Sequence, residues 1–302
     1  MVKSGESGHK FSIDFVNAVS GFSNAMQKFP LKLILYRTIF RGKGLEFDSY
    51  RNFEQDDDAS MIDWKASLRS NTILAKKYIE ERELNVYFIV DCSGSVLFGS
   101  GDKLKAEFNA EVVAALSHLV LEGGDKVGLI MLNDGVVKYL EAKKGKNQFY
   151  LVRDFLNEVS FYHGGFDLRK AIDFTLDSIK SEYTFFIIIS DFINLKRDAV
   201  KGLKFIGNRF ETIAIMSRDE MDNKLPNFSH QMSLIDPHTG RSAIVDPKMI
   251  EKTYEKMVKI QKRNLEKVLL ESNIDLLELN SNKSFFLPVA QFLRSRSKGD
   301  RI

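Results

Sequence analysis

The chain has 302 residues, 44% hydrophobic and 28% charged, with 24 Phe, a composition that supplies a real core and excludes a disordered class. The 44 basic and 41 acidic residues leave a net charge of only +3, which gives no global drive toward nucleic acid or anionic lipid. One cysteine, Cys92, excludes an intramolecular disulfide and a multi-cysteine zinc site. The opening MVKSGESGHK is not a secretory signal. The run LKLILYRTIF (31–40) is too short and too charged to cross a bilayer. A cytoplasmic protein without membrane insertion is the expectation.

Taken in chain order, residues 1–83 form a preamble. Phe11, Phe15, Val19, Phe22 and Met26 recur every three or four residues and predict an amphipathic helix ending before Pro30. A charged, glycine-containing stretch follows, RGKGLEFDSYRNFEQDDDASMIDWKASLRS, to which no strand is assigned. From residue 84 the pattern changes. LNVYFIV (84–90) reads as a buried parallel strand ending in Asp91. Leu104, Phe108, Val112, Ala115 and Leu119 predict a helix, with Glu107, Glu111 and His118 on its other face and Gly123-Gly124 at its end. KVGLIML (126–132) is a second strand, Asn133-Asp134-Gly135 a hairpin turn, and VVKYL an antiparallel strand.

Helices are expected near 147–159 and 168–180. TFFIIIS (184–190) is a central strand running into Asp191. A helix near 196–208 leads to the strand ETIAIMS. MSLIDPHTGRSAIVD suggests a hairpin around Pro237-His238-Thr239-Gly240, followed by a basic helix from about 247 to 271, the strand IDLLEL, and a last helix over 284–296. Alternating strands and helices imply a doubly wound, mostly parallel α/β sheet covered on both faces. The organisation expected is an N-terminal extension (1–83) and an α/β domain (84–296) carrying a hairpin-plus-helix insertion at about 217–272.

Asp91-Cys92-Ser93-Gly94-Ser95, an Asp-x-Ser-x-Ser pattern, directly follows the first strand of the α/β part. Ligands of doubly wound sheets bind outside the carboxyl ends of the strands. If the strands ending in Asp91 and Asp191 are neighbours, two carboxylates and two hydroxyls converge, a donor set suited to a hard cation such as Mg²⁺ or Mn²⁺ that keeps several waters. A partner's carboxylate could replace one water. The plainer reading is a strand-end turn in which Asp and Ser cap the next helix. Cys92 reads as a small buried hydrophobe.

This pattern, with its long helix, Val-Gly strand and hairpin, resembles a von Willebrand factor A-like (vWA) domain, whose metal-ion-dependent adhesion site the motif opens. EFDSYRNFEQDDDASMIDWKASLRS, SRDEMDNKLP, the Asp-Pro-x-Thr-Gly turn and IVDP extend the resemblance to the domain-of-unknown-function-58 family over about residues 40–296. The resemblance implies metal ligation by Asp91, Ser93, Ser95 and Asp191. It also implies a MoxR-type AAA+ ATPase as partner, since members are commonly encoded beside such enzymes. The chain departs from the vWA pattern at Phe166, which stands where a ligand Thr is usual; Asp167 beside it is a possible substitute.

In the family-like block, Asp63, Trp64 and Arg69 are candidates for a partner-binding surface, against a plainer role in which Trp64 anchors the preamble to the α/β body. Asp57 and Asp58 of the acid run are candidates to dock a basic partner, or are solvated. His163 is expected at the rim of the site. The Lys-rich helix alternates with Glu251, Glu255 and Glu266 and reads as an exposed face. No Gly-x-Ser-x-Gly, P-loop or Gly-x-Gly-x-x-Gly accompanies a strand, which speaks against serine hydrolysis, ATP hydrolysis of that kind and a dinucleotide cofactor. The expected function is non-enzymatic protein–protein interaction. A metal-dependent phosphohydrolase and a metal-free scaffold are the alternatives.

Overall fold

The computed structural model describes residues 10–26, 46–54, 59–79, 83–181, 183–193, 195–226, 231–235 and 241–297. The run 31–40, Asp56, Asp57, Asp58 and the Pro237-His238-Thr239-Gly240 turn lie outside them. Six strands form the central sheet: β3 (Asn85–Asp91), β4 (Lys126–Leu132), β5 (Val136–Lys143), β6 (Thr184–Ser190), β7 (Glu211–Arg218) and β10 (Asp275–Asn280). Their order is β10-β7-β6-β3-β4-β5, all parallel except β5, which returns antiparallel to β4. This is the doubly wound, vWA/Rossmann-like class, and the order reverses at β3, between β4 and β6.

The two faces follow from the period of two along each strand. Val86, Phe88 and Val90 of β3, with Phe185, Ile187 and Ile189 of β6, enter one core. Tyr87 and Ile89, with Phe186 and Ile188, enter the other. The first core is closed by α1 (Phe15–Met26), α3 (Lys105–Glu122), α4 (Lys146–Leu156) and α9 (Phe286–Ser297). The second is closed by α5 (Leu168–Ser178), α6 (Ala199–Arg209) and α8 (Pro247–Glu271). Gly128 on β4 is needed by this packing, because a Cβ there would lie 2.2 Å from the Tyr87 ring.

The preamble is partly built into this body. Ala18, Phe22 and Met26 of α1 join the first core, and α1 packs on α3 and α9. Glu107 and Glu111 are therefore not on a solvent face of α3. Both are buried, Glu107 accepting from the backbone N–H of Ser12 and Leu104, and Glu111 accepting from Asp14 N–H and Lys103 Nζ. The first turn of a helix and the segment entering α1 each present orphan N–H groups, and these two carboxylates satisfy them.

The rest of the preamble holds structure that hydrophobic periodicity does not signal. β1 (Glu46–Asn52) pairs antiparallel with β2 (Leu74–Ile79), and α2 (Trp64–Ser70) lies between them in sequence. Asp63 caps α2 through Lys65 and Ala66 N–H. Trp64 is no anchor: it is 64% exposed, and Leu68 one turn later is 83% exposed. The inward residue of α2 is Ser67, whose hydroxyl accepts from Leu74 N–H and donates to Asp63 O, so the short helix turns its apolar side outward.

A short helix α7 (Glu220–Asn223) follows β7, then the hairpin β8 (Met232–Ile235) and β9 (Ser242–Val245), then α8. Along α8 both signs of charge reach the surface, with Glu266 exposed between Arg263 and Lys267. Lys248, Lys252, Lys256, Lys259, Arg263 and Lys267 are exposed, whereas Glu251 and Glu255 turn aside to pair with Lys224.

Candidate metal centre

β3 and β6 are neighbours in register, so Asp91, the last residue of β3, and Asp191, the first after β6, meet at the carboxyl edge of the sheet where the strand order reverses. Both are 1% exposed. Asp91 Oδ1 accepts from Ser93 N–H at 2.8 Å, and Asp91 Oδ2 accepts from Ser190 Oγ at 2.6 Å. Ser190 Oγ in turn accepts from Phe192 N–H at 2.9 Å, and Asp191 Oδ1 from Ile193 N–H at 3.0 Å. Phe192 sits at φ 50°, a conformation rare for a bulky residue. The turn after β6 is thus held from both sides while Asp191 stays directed at the site. Ser93 and Ser95 hydroxyls are 3.0 Å apart. The four residues expected to converge do so. The plainer capping role fails for Ser93, which precedes the short 3-10 turn Gly94–Leu97 without a side-chain cap bond.

The loop before α5 is joined to this turn by backbone bonds, His163 N–H to Cys92 O and Gly94 N–H to Gly164 O, each 2.9 Å. Gly164 has φ 71°, and a Cβ there would lie 2.5 Å from Asp134 Oδ2, so the loop needs glycine to close on the turn after β4. Phe166 is buried in the second core and offers no donor atom. Asp167 caps α5 through Lys170 N–H and pairs with Lys196 at 3.0 Å; these partners, not the Asp91 cluster, hold its carboxylate below the ordinary range. His163 reaches Asn133 at 3.5 Å. Cys92 is buried, as expected, with its thiol pushed up by burial.

Three residues of the site lie outside the Asp-x-Ser-x-Ser pattern and are not among the candidates singled out above. Ser190 positions Asp91, as above. Lys105, in the first turn of α3, is 1% exposed, and its Nζ lies 2.9 Å from Asp191 Oδ2 and 2.8 Å from Asp222 Oδ2. Asp222 also accepts from Asp219 N–H at 2.9 Å, and Asp219 accepts from Ser100 N–H and Asn282 Nδ2. A lysine in the first turn of a helix opposes the macrodipole, the one trace in sequence that something else holds it.

The electrostatics are unequal. Burial, and then the Asp191 charge, push Asp91 up to about 7. Burial pushes Asp191 the same way, but the Lys105 ammonium and the Ile193 N–H together outweigh it and hold Asp191 below the ordinary carboxylate range. Lys105 itself is held above the ordinary lysine value, since Asp191 and Asp222 outweigh its burial. Among the described residues no three His, Cys, Asp or Glu side chains form a metal cluster, so an ion here would rest on two carboxylates and two hydroxyls. That donor set fits a hard divalent ion retaining several waters. The repulsion that raises Asp91 is what such an ion would relieve.

Residues 49–264 match the family described as "Protein of unknown function DUF58". The chain belongs to that family. This DUF58 protein is 24% identical over 262 residues to uncharacterized proteins of Mycobacterium tuberculosis and Mycobacterium bovis, covering 85% of this chain and 81% of theirs. Among solved structures it is similar to the conserved hypothetical protein BatB of Bacteroides thetaiotaomicron, at 16% identity over 71% of this chain and 99% of that one, with a TM-score of 0.48. It is also similar to the VWA domain of SpRpn10, at 8% identity over 70% and 95% of the two chains, with a TM-score of 0.41. The fold assignment of the DUF58 chain rests on its own strand order. Among its described residues no helix is long and apolar enough to cross a membrane.

Asp63, Trp64 and Arg69 lie on or beside α2 and are not brought to the Asp91 cluster by any bond among the described residues. Asp63 is engaged by its cap, by Tyr50 Oη at 3.0 Å and by Lys76 at 3.4 Å, while Trp64 and Arg69 face solvent.

Proposed function

We propose that this DUF58 protein is a non-enzymatic protein–protein interaction module of the cytoplasm. In this reading Asp91, Ser93, Ser95 and Asp191 hold Mg²⁺ or Mn²⁺, and the ion accepts a carboxylate from the partner in place of a water. The observation that supports the reading is the pairing of β3 with β6, which brings the strand ends carrying Asp91 and Asp191 together, beside the Ser93 and Ser95 hydroxyls. The bound ion would supply positive charge; the chain's residues orient it, and Ser190 fixes Asp91. The partner proposed is a MoxR-type AAA+ ATPase, with exposed Trp64 and Arg69, and Asp57 and Asp58, as additional contacts.

Two observations favour a second reading. The Lys105 ammonium already meets Asp191, and Phe166 offers no donor, as in a scaffold that binds its partner without metal. A pull-down of a purified MoxR-type ATPase separates the two. Capture that requires Mg²⁺ and is lost in Asp91→Ala supports the metal-dependent module. Capture indifferent to EDTA and to Asp91→Ala supports the scaffold, and no capture under either condition removes the ATPase as partner.

A further inference from the structure

Lys105 links the candidate metal centre to the insertion that follows β7. Its ammonium is shared between Asp191, beside the centre, and Asp222, on α7, and the Phe98 ring lies 5.8 Å from Nζ. α7 is fastened to α8 by Tyr254, whose hydroxyl donates to Met221 O at 3.0 Å and Asp222 O at 3.3 Å. α8 reaches back to the centre through Gln261, whose amide donates to Ile193 O, two residues past Asp191. Centre, lysine, α7 and α8 therefore form one closed set of contacts.

We propose that Lys105 is a tethered counter-ion that competes with a divalent ion for Asp191 and, through Asp222, couples occupancy of the centre to the seating of α7 and α8. The proposal rests on the metal-centre reading above. Asp191 Oδ1 is taken by Ile193 N–H and Oδ2 by Lys105, so an ion drawing on Asp191 must displace the ammonium toward Asp222 or bear its repulsion. At a separation of a few ångströms, away from bulk water, that repulsion is large enough to set the affinity of the centre. Lys105 thus keeps the affinity low, and Asp222 raises it by drawing the ammonium away. Linkage makes the effect reciprocal: an ion at the centre tightens the hold of Lys105 on α7.

The test is calorimetric titration with Mn²⁺ of the full chain and of Lys105→Gln and Asp222→Asn, with hydrogen exchange of the α7 amides with and without Mn²⁺. Lys105→Gln is expected to bind at least about tenfold tighter than wild type. Asp222→Asn is expected to bind several-fold weaker, and Mn²⁺ is expected to slow exchange over Glu220–Asn223 in wild type only. Binding by Lys105→Gln alone, with none in wild type, supports the competition but overturns both the coupling and the metal-centre reading of the native chain. Binding in wild type that Lys105→Gln leaves equal or weaker overturns the proposal while the metal centre stands. Binding in none of the proteins overturns both. Unchanged α7 exchange overturns the coupling. Should Lys105→Gln fail to fold, Asp222→Asn decides, and equal or tighter binding there refutes the competition.

Discussion

Ser190→Ala removes one hydroxyl and disturbs two buried groups. Ser190 is fully buried; its Oγ donates to Asp91 Oδ2 at 2.6 Å and accepts from Phe192 N–H at 2.9 Å. A hydrogen bond to a charged group contributes about 1.5–3 kcal/mol, and a buried N–H left without a partner costs about 1–3 kcal/mol. The two losses share one atom and partly relax together, so the expected destabilisation is about 3 kcal/mol, within roughly 2–5. Urea denaturation followed by far-UV circular dichroism at pH 8, where Asp91 is ionised, measures it. Ser190→Thr, which keeps the hydroxyl, is the control and should lose much less. A loss below about 0.5 kcal/mol for Ser190→Ala, the level of an ordinary surface change, would refute the claim that this hydroxyl holds the turn and the carboxylate together.

Other regions of the chain give independent checks. Phe22→Ala should destabilise by about 3–5 kcal/mol in the same assay, because α1 is part of the first core; a loss under about 1 kcal/mol would mean that the helix is a detachable extension. Trp64→Ala and Leu68→Ala should each stay within about 0.5 kcal/mol of wild type, since both side chains face solvent. Asp219 is buried, and despite that burial the Ser100 and Met221 N–H groups hold its carboxyl below the ordinary value. Its stabilisation is therefore complete above the unfolded carboxylate value and fades as pH falls through the lower folded one. Asp219→Asn should flatten the loss of stability below about pH 4, and an unchanged acid limb would refute the assignment.

The part of the fold legible in the sequence was the part governed by hydrophobic period. TFFIIIS and LNVYFIV are apolar on both faces because helices cover both sides of β6 and β3, and a continuous run of that kind has few other uses. The convergence of Asp91 and Asp191 followed from one conditional, that their strands are adjacent, and the sheet order meets it. The β1–β2 ribbon was hidden because β1, EFDSYRN, carries no apolar alternation. Glu107 and Glu111 lie off the apolar stripe, and their burial was not legible because the segment entering α1 brings the Ser12 and Asp14 N–H groups to them from 95 and 97 residues away. Trp64 misled for the opposite reason: a lone tryptophan is usually buried, but here a serine is the inward residue of a seven-residue helix. Lys105 was out of reach, because its partners lie 86 and 117 residues away and only folding brings them together.

The central claim, that the carboxyl edge of the sheet holds a divalent ion, is tested most directly by calorimetric titration of Mg²⁺ and Mn²⁺ into wild type and Asp91→Ala. Saturable binding to wild type that disappears in Asp91→Ala is the result expected from two carboxylates and two hydroxyls at one switch point. Binding that survives Asp91→Ala would place the ion elsewhere. No binding to wild type, with or without an added carboxylate ligand such as acetate, would contradict the claim.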